Sequence, residues 1–187
     1  MRKIIASIHS TLDGFISGLN GELDWLMPLD EKGEADITHM LEKEVDTILL
    51  GRVSYEGFIT YWPTADGHFA DLMNKTPKIV FTKSGELKDV AWGDWGNIDL
   101  IDHNVEEKVK KLKAQDGKAM VTLGSATLVS SFLNLGFIDE LRIQVHPVIL
   151  GGGKPLFQDI KTRVVLELVN TKNYPSGSVL LTYSVKK

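Results

Sequence analysis

The chain has 187 residues, 43% hydrophobic and 25% charged, with a formal net charge of −4, the balance of a folded domain rather than of a disordered chain. Its 21 Lys and Arg residues are scattered except for the run Lys108–Lys113, so the basic stripe of a nucleic-acid binder is absent and no nucleic-acid partner is expected. The absence of cysteine excludes disulfides and Cys-ligated zinc or iron–sulfur sites, and no apolar run approaches the roughly 20 residues of a membrane-spanning helix; the expectation is one cytoplasmic domain over residues 1–187 with no membrane partner.

The chain opens with basic residues before an apolar stretch too short for a secretory signal, so Lys3–Ile8 reads as a first strand. Helical periodicity follows at Glu34–Lys43, where Ile37, Met40 and Leu41 share a face. Thr47–Leu50 is a strand of solid aliphatic character, as strands buried on both faces are. Short helices are predicted at Val53–Ile59 and Phe69–Asn74, with strands at Lys78–Thr82 and Ile98–Ile101. Asn104–Ala114 reads as a helix with an Asn cap, Glu107 three residues on, and Gly117 beyond its end. The strand Ala119–Leu123 precedes a helix over Ala126–Leu135 that turns Leu128, Val129, Phe132 and Leu133 inward and stops at Gly136. Three further strands, Glu140–Leu150, Val164–Thr171 and Ser178–Val185, follow without helices, the last two joined by the turn Tyr174-Pro175-Ser176-Gly177. Strands alternating with helices predict a parallel α/β sheet covered on both faces, and the final strands predict an antiparallel end.

Four glycine-centred breaks follow aliphatic or β-branched runs: Leu12-Asp13-Gly14-Phe15, Leu50-Gly51-Arg52, Leu123-Gly124-Ser125-Ala126 and Leu150-Gly151-Gly152-Gly153-Lys154. A glycine at a strand end lets the chain turn sharply and lets a ligand approach the backbone. Those at Gly51 and Gly124 open helices, whose unpaired N–H groups suit phosphate. Arg52 with Val53 and Ser54, the hydroxyls of Ser125 and Thr127, and the strand end Thr82-Lys83-Ser84 are candidate anion contacts; each also reads as an ordinary cap or solvated turn. Three adjacent glycines, Gly151 to Gly153, are costly to order and point to close backbone approach to a ligand or another chain, or else to a flexible connection. His9, His39, His68, His103 and His146 have no metal-ligand spacing, so no metal site is expected, and without a G-x-S-x-G elbow a hydrolase triad has no support.

In order and spacing the Gly51-Arg52, Phe81-Thr82-Lys83-Ser84 and Leu123-Gly124-Ser125-Ala126 breaks resemble dihydrofolate reductase folds. Ser10-Thr11-Leu12-Asp13-Gly14-Phe15-Ile16 and Val148-Ile149-Leu150-Gly151-Gly152-Gly153-Lys154-Pro155-Leu156-Phe157 are closer still to stand-alone relatives of the C-terminal reductase domain of bacterial riboflavin biosynthesis. The resemblance covers nearly the whole chain. It implies a three-layer α/β fold with a mixed, mainly parallel eight-stranded sheet and an antiparallel C-terminal hairpin. It further implies NADPH as cofactor, hydride transfer to a C=N or C=O bond of a small heterocyclic or ribosylamino-pyrimidine substrate, and a homodimer.

By motif, Gly51, Arg52 and Val53 would contact cofactor phosphate, Thr82, Lys83 and Ser84 the adenosine end, and Gly124, Ser125, Ala126 and Thr127 the pyrophosphate. Asp13 and Gly14 would lie in the loop over the nicotinamide, Gly14, Phe15, Trp25, Gly151 and Gly152 would shape the substrate pocket, and Asp13 and Asp36 are the catalytic candidates. Asp36 stands near where dihydrofolate reductases keep their acidic residue, with Glu34, Asp30 and Asp24 as alternatives and a solvated carboxylate as the plainer reading. The segment Leu19–Gly33 is longer and more acidic than a pterin-site loop, which argues against true dihydrofolate reduction. The cysteines of a zinc deaminase half are missing, so the resemblance implies the reduction step alone. Alternative functions are a dihydrofolate or pteridine reductase and a non-catalytic NADPH-binding module.

Overall fold

In the computed structural model, which describes residues 1–28, 30–83 and 85–186, the elements run in chain order β1 (Ile4–Thr11), β2 (Phe15–Ser17), α1 (Glu31–His39), β3 (Val45–Gly51), α2 (Arg52–Phe58), α3 (His68–Lys75), β4 (Lys78–Phe81) and β5 (Ile98–Ile101). They continue with α4 (Val105–Ala114), β6 (Ala119–Leu123), α5 (Ala126–Asn134), β7 (Glu140–His146), β8 (Lys154–Pro155), β9 (Leu166–Asn173) and β10 (Val179–Val185). Eight strands form one sheet in the order β5-β4-β3-β6-β1-β7-β10-β9, and β2 pairs with β8 in a small second sheet. The six strands from β5 to β7 are parallel, and β10 is antiparallel to both its neighbours.

The solid aliphatic runs are buried on both faces because side chains alternate across a strand. One face presents Ile4, Ala6, Ile8, Leu49, Met120, Leu141 and Ile143 to α4 and α5, which contribute Val109, Leu128, Val129 and Phe132. The other presents Ile5, Ile48, Leu50, Val80 and Val121 to Tyr55 of α2, Met73 of α3 and Trp92. The fold class read from the sequence, a mixed sheet with helices on both faces, is the one observed.

The differences lie at element ends. Helix α1 begins at Glu31, three residues earlier than predicted, because the Asp30 carboxylate caps it by accepting from the Gly33 N–H at 2.9 Å; past His39 the chain continues as one wide π turn, Met40–Glu44. Asn104 precedes α4 as expected but caps nothing with its side chain, sitting instead in the left-handed region at φ 52°, which Asn tolerates. Strand β7 stops at His146 instead of Leu150, since Pro147 has no N–H to give a ladder. Strand β9 begins at Leu166 rather than Val164 and reaches Asn173, and the reverse turn to β10 closes through the Gly177 N–H onto the Tyr174 carbonyl at 2.9 Å. Strands β2 and β8 were not predicted; they pair Phe15 with Pro155 and Ser17 with Lys154, and a Cβ on Gly153 would run into the Ser17 carbonyl oxygen, so a side chain has no room there.

Candidate active site

The adjacent strands β3 and β6 send their following helices to opposite faces of the sheet: α2 packs by Tyr55 into one core layer and α5 by Leu128, Val129 and Phe132 into the other. Such a divergence opens a crevice beyond the carboxyl ends of the strands, where open α/β sheets bind ligands. Here the crevice is lined by the two predicted glycine turns. Gly51 is extended at φ −78° and leads straight into α2, while Gly124 and Ser125 both have positive φ, 77° and 62°, and the Ser125 hydroxyl caps α5 by accepting from the Leu128 N–H at 3.4 Å. The turns touch: a Cβ on Gly51 would stand 2.8 Å from the Ser125 Cβ and closer still to its Oγ, and Gly124 lies beside the Ser54 hydroxyl. Ala126 is fully buried beneath them, whereas Thr127 and Val53 are exposed.

Arg52 and Thr82 are brought together by a residue that sequence reading missed. Glu86 accepts from Arg52 Nε at 3.2 Å and from the Thr82 hydroxyl at 3.0 Å, and Glu56 takes the Arg52 Nη1 with both oxygens at 2.9 Å. The hydrogen bond and charge of Glu56, joined by Glu86, raise the Arg52 pKa, while the Thr82 hydroxyl and the Arg52 charge lower that of Glu86. The spacing of Arg52 to Glu56, one helical turn, was a legible signal; nothing local announced Glu86. Lys83 is exposed, and Ser84 lies outside the described residues.

Asp13 and Asp36 stand apart from that crevice and from each other's partners. Asp13 accepts from the Thr11 hydroxyl at 2.6 Å and from the N–H groups of Gly151 at 2.8 Å and Leu150 at 3.3 Å. These bonds hold its carboxyl below the ordinary range, the Thr11 hydroxyl most of all. The Asp13-Gly14 turn therefore fastens the Gly151-Gly152 loop, and the close approach expected of the glycine run is made to this chain's own Ser17. Phe15 pairs with Pro155 across the small sheet. Asp36 receives Lys172 Nζ and, at 2.7 Å, the Tyr174 hydroxyl. Partial burial opposes its ionisation, but the bonds from Lys172 and Tyr174 prevail and its pKa is lowered. The same contact raises the Tyr174 pKa, after burial. Glu34 and Asp24 are exposed, and Asp30 is spent on the α1 cap and the Ser176 N–H.

Trp25, predicted as a pocket residue, is 7% exposed and meets the His146 ring edge-on, centroids 5.5 Å apart. His146 in turn bonds His9 at 2.9 Å between Nε2 and Nδ1. The pair joins the ends of β1 and β7, next in sheet order after the Gly124 turn of β6. Neither histidine was read as a site residue; the only signal was an imidazole at the end of an otherwise apolar or alternating strand. Among the described residues no group of three or more His, Cys, Asp or Glu side chains is arranged to hold a metal ion, and no helix is long and apolar enough to cross a membrane.

The profile of the RibD C-terminal domain matches residues 2–180. The chain belongs to the RibD C-terminal domain family. Within this family's company it is 39% identical to Bacillus subtilis (strain 168) YyaP over 183 residues, 97% of this chain and 94% of that protein. Among solved structures, the Thermotoga maritima diaminohydroxyphosphoribosylaminopyrimidine deaminase/5-amino-6-(5-phosphoribosylamino)uracil reductase superposes with a TM-score of 0.68 at 18% identity, covering 99% of this chain and 57% of that one. Dihydrofolate reductase of Enterococcus faecalis, in complex with NADP(H) and RAB-propyl, superposes with a TM-score of 0.61 at 17% identity, covering 99% of this chain and 97% of that one. At these identities the superpositions establish a shared fold, and the RibD C-terminal domain is here a dihydrofolate reductase-like sheet.

Proposed function

We propose that this RibD-type domain is an NADPH-dependent reductase acting on a small heterocyclic or ribosylamino-pyrimidine substrate, in the manner of the 5-amino-6-(5-phosphoribosylamino)uracil reductases. The observation that carries this reading is the contact between the Gly51 and Ser125 turns at adjacent strand ends. In this reading a dinucleotide pyrophosphate lies over the two turns, each of which leads directly into a helix whose first N–H groups have no partner within the helix. When bound, NADPH supplies the hydride.

The remaining work falls to this chain's residues. The turn N–H groups and the Ser54 and Ser125 hydroxyls hold phosphate oxygens. Arg52 exchanges its exposed Glu56 and Glu86 partners for a cofactor phosphate, an exchange that costs little because exposed ion pairs contribute about 0–1 kcal/mol while a guanidinium–phosphate fork is charge-assisted. Glu86 stands beside Thr82 at the end of β4, where it opposes an anion unless it swings away, and it thereby weighs on the choice between a 2′-hydroxyl and a 2′-phosphate. Asp13 and Asp36, both ionised and both already paired, act as anchors: Asp13 fixes the Gly151 loop, and Asp36 ties α1 to the β9–β10 hairpin.

Fluorescence titration with NADPH and NADH side by side, followed by NADPH oxidation with 5-amino-6-(5-phosphoribosylamino)uracil, tests the reading. Saturable binding with a preference for NADPH is expected. Arg52→Ala should weaken NADPH by about tenfold or more, the worth of one charge-assisted contact, and NADH by less if the guanidinium reaches the 2′-phosphate. Failure to bind either nucleotide would remove the reductase reading.

A further inference from the structure

Among the described residues three buried side-chain polar atoms lack a hydrogen-bond partner: Trp25 Nε1, His146 Nδ1 and Ser130 Oγ. Ser130 lies on α5, across the sheet. The other two belong to rings in direct edge-to-face contact. Buried polar groups are nearly always paired, because an unpaired one carries its desolvation penalty uncompensated. Two such groups in one contact, on side chains 7% and 1% exposed, mark a place that something else completes.

Resting on the reductase reading above and naming its substrate site, we propose that the His9–His146–Trp25 cluster recognises the substrate ring, and that this ring is an uncharged planar heterocycle with adjacent N–H and C=O groups, a lactam edge. The Trp25 N–H is a donor only, and so calls for a carbonyl. His146 Nδ1 is set by its neighbour. When His146 Nε2–H donates to His9 Nδ1, its own Nδ1 accepts and suits a ring N–H; when His9 Nδ1–H donates, His146 Nδ1 donates and suits a second carbonyl. The first arrangement, with Trp25 donating to the carbonyl and His146 Nδ1 accepting from the ring N–H, is the one a lactam edge selects, and it carries no charge.

Neutrality is built in. Burial, reinforced by the adjoining His146, pushes His9 down to about 4, and burial also lowers His146. The cations on the same sheet face are committed elsewhere: Arg142 to Glu44 and Glu140, Lys172 to Asp36. The location is also right for a ring that meets a nicotinamide. Along the sheet edge the predicted adenosine contacts stand at the end of β4, the pyrophosphate turns at β3 and β6, and the histidines at β1 and β7, so a dinucleotide laid in that order ends beside them. Strand β1 outruns β6, whose pairing stops at Ser7 opposite Leu123, and His9 lies beyond that point. Trp25 sits in the irregular segment between β2 and α1.

The test is calorimetric titration of the intact protein with 5,6-diaminouracil and with its 1,3-dimethyl derivative, which has no ring N–H, alongside ¹⁵N spectra of the histidine side chains. Saturable binding of 5,6-diaminouracil is expected, weaker by about tenfold for the dimethyl compound and for His146→Phe, with NADPH affinity unchanged in the variant and the His146 Nδ1 resonance of the wild type moving on binding. Absence of saturable binding, or equal binding of both compounds with a stationary His146 resonance, overturns the proposal. If His146→Phe does not fold, His9→Gln and the wild-type resonances decide. NADPH binding is read separately: its loss with pyrimidine binding intact would sink the reductase reading and leave this ring site standing.

Discussion

Gly51→Ala isolates the contact on which the proposed cofactor site depends. Gly51 has φ −78° and ψ 159°, a conformation open to any L-residue, so alanine suffers no backbone strain there and the whole effect is steric. The added Cβ would lie 2.8 Å from the Ser125 Cβ, against the roughly 3.5–4.0 Å at which two carbons rest. Rotating the Ser125 hydroxyl away cannot cure a Cβ–Cβ clash; one turn must shift by about 1 Å. Overpacking of this kind costs about 1–3 kcal/mol, and because the shift widens the crevice, NADPH affinity should fall with stability.

Ser125→Gly removes the other party. Ser125 already has φ 62°, so glycine relieves a strained residue while giving up a long 3.4 Å cap bond, exchanges of a few tenths of a kcal/mol to about 1 kcal/mol in opposite senses. The double variant should therefore recover most of what Gly51→Ala loses. Urea unfolding of the four proteins, with NADPH titration of each, gives the coupling directly, expected at about 1 kcal/mol or more. Additive single effects, or a Gly51→Ala protein as stable and as tightly binding as the wild type, would show that the two turns do not form one cradle.

Asp36→Asn should cost about 1 kcal/mol in urea unfolding through the loss of the Lys172 ion pair, a modest sum because both side chains are about one-third exposed, and should leave NADPH oxidation within about threefold of wild type; a fall of about a hundredfold or more with unchanged stability would instead identify Asp36 as the proton donor. The depressed His9 pKa makes stability pH-dependent: with the folded value about 4 and the ordinary one 6.5, the unfolded chain takes the proton first, so the contribution is complete above pH 6.5 and is lost as pH falls toward 4. The difference is about 3 kcal/mol. His9→Gln should flatten unfolding free energy against pH across that window, and an unchanged profile would contradict the buried neutral pair.

What could be read from the sequence was what is locally determined. A glycine after Leu50 or Leu123 ends a strand and opens a helix by its own backbone chemistry, so both turns were legible; their mutual contact was not, because it depends on β3 and β6 being neighbours in the sheet. Asp13 was legible as part of a turn, but its bonds to Leu150 and Gly151, which cross most of the chain and clasp that loop, were not. Asn104 shows the limit of composition, since its type fits a cap but its side chain accepts no N–H of the first turn of α4. The histidine pair was hidden for the same reason as Glu86: each member looks ordinary beside its own neighbours, and only the pairing of β1 with β7 brings the two imidazoles to 2.9 Å.

One face of the sheet is divided, and the division explains where charge is absent. Under α2 and α3 it is apolar, with Ile48, Leu50, Val80, Met73 and Trp92. Toward β7, β10 and β9 it is polar, and there Arg142 is matched by Glu44 and Glu140 and Lys172 by Asp36, while the neutral Gln144 donates to the Ser178 hydroxyl. Matched charges hold α1 and the C-terminal hairpin in register but offer little to a ligand, since each would have to be unpaired first. Among the described residues the unmatched buried side-chain groups on this face, His146 Nδ1 and Trp25 Nε1, are neutral. In the proposed reading such groups select by hydrogen-bond pattern and ring shape, while Arg52, whose Glu56 and Glu86 partners are exposed, can trade them for a phosphate.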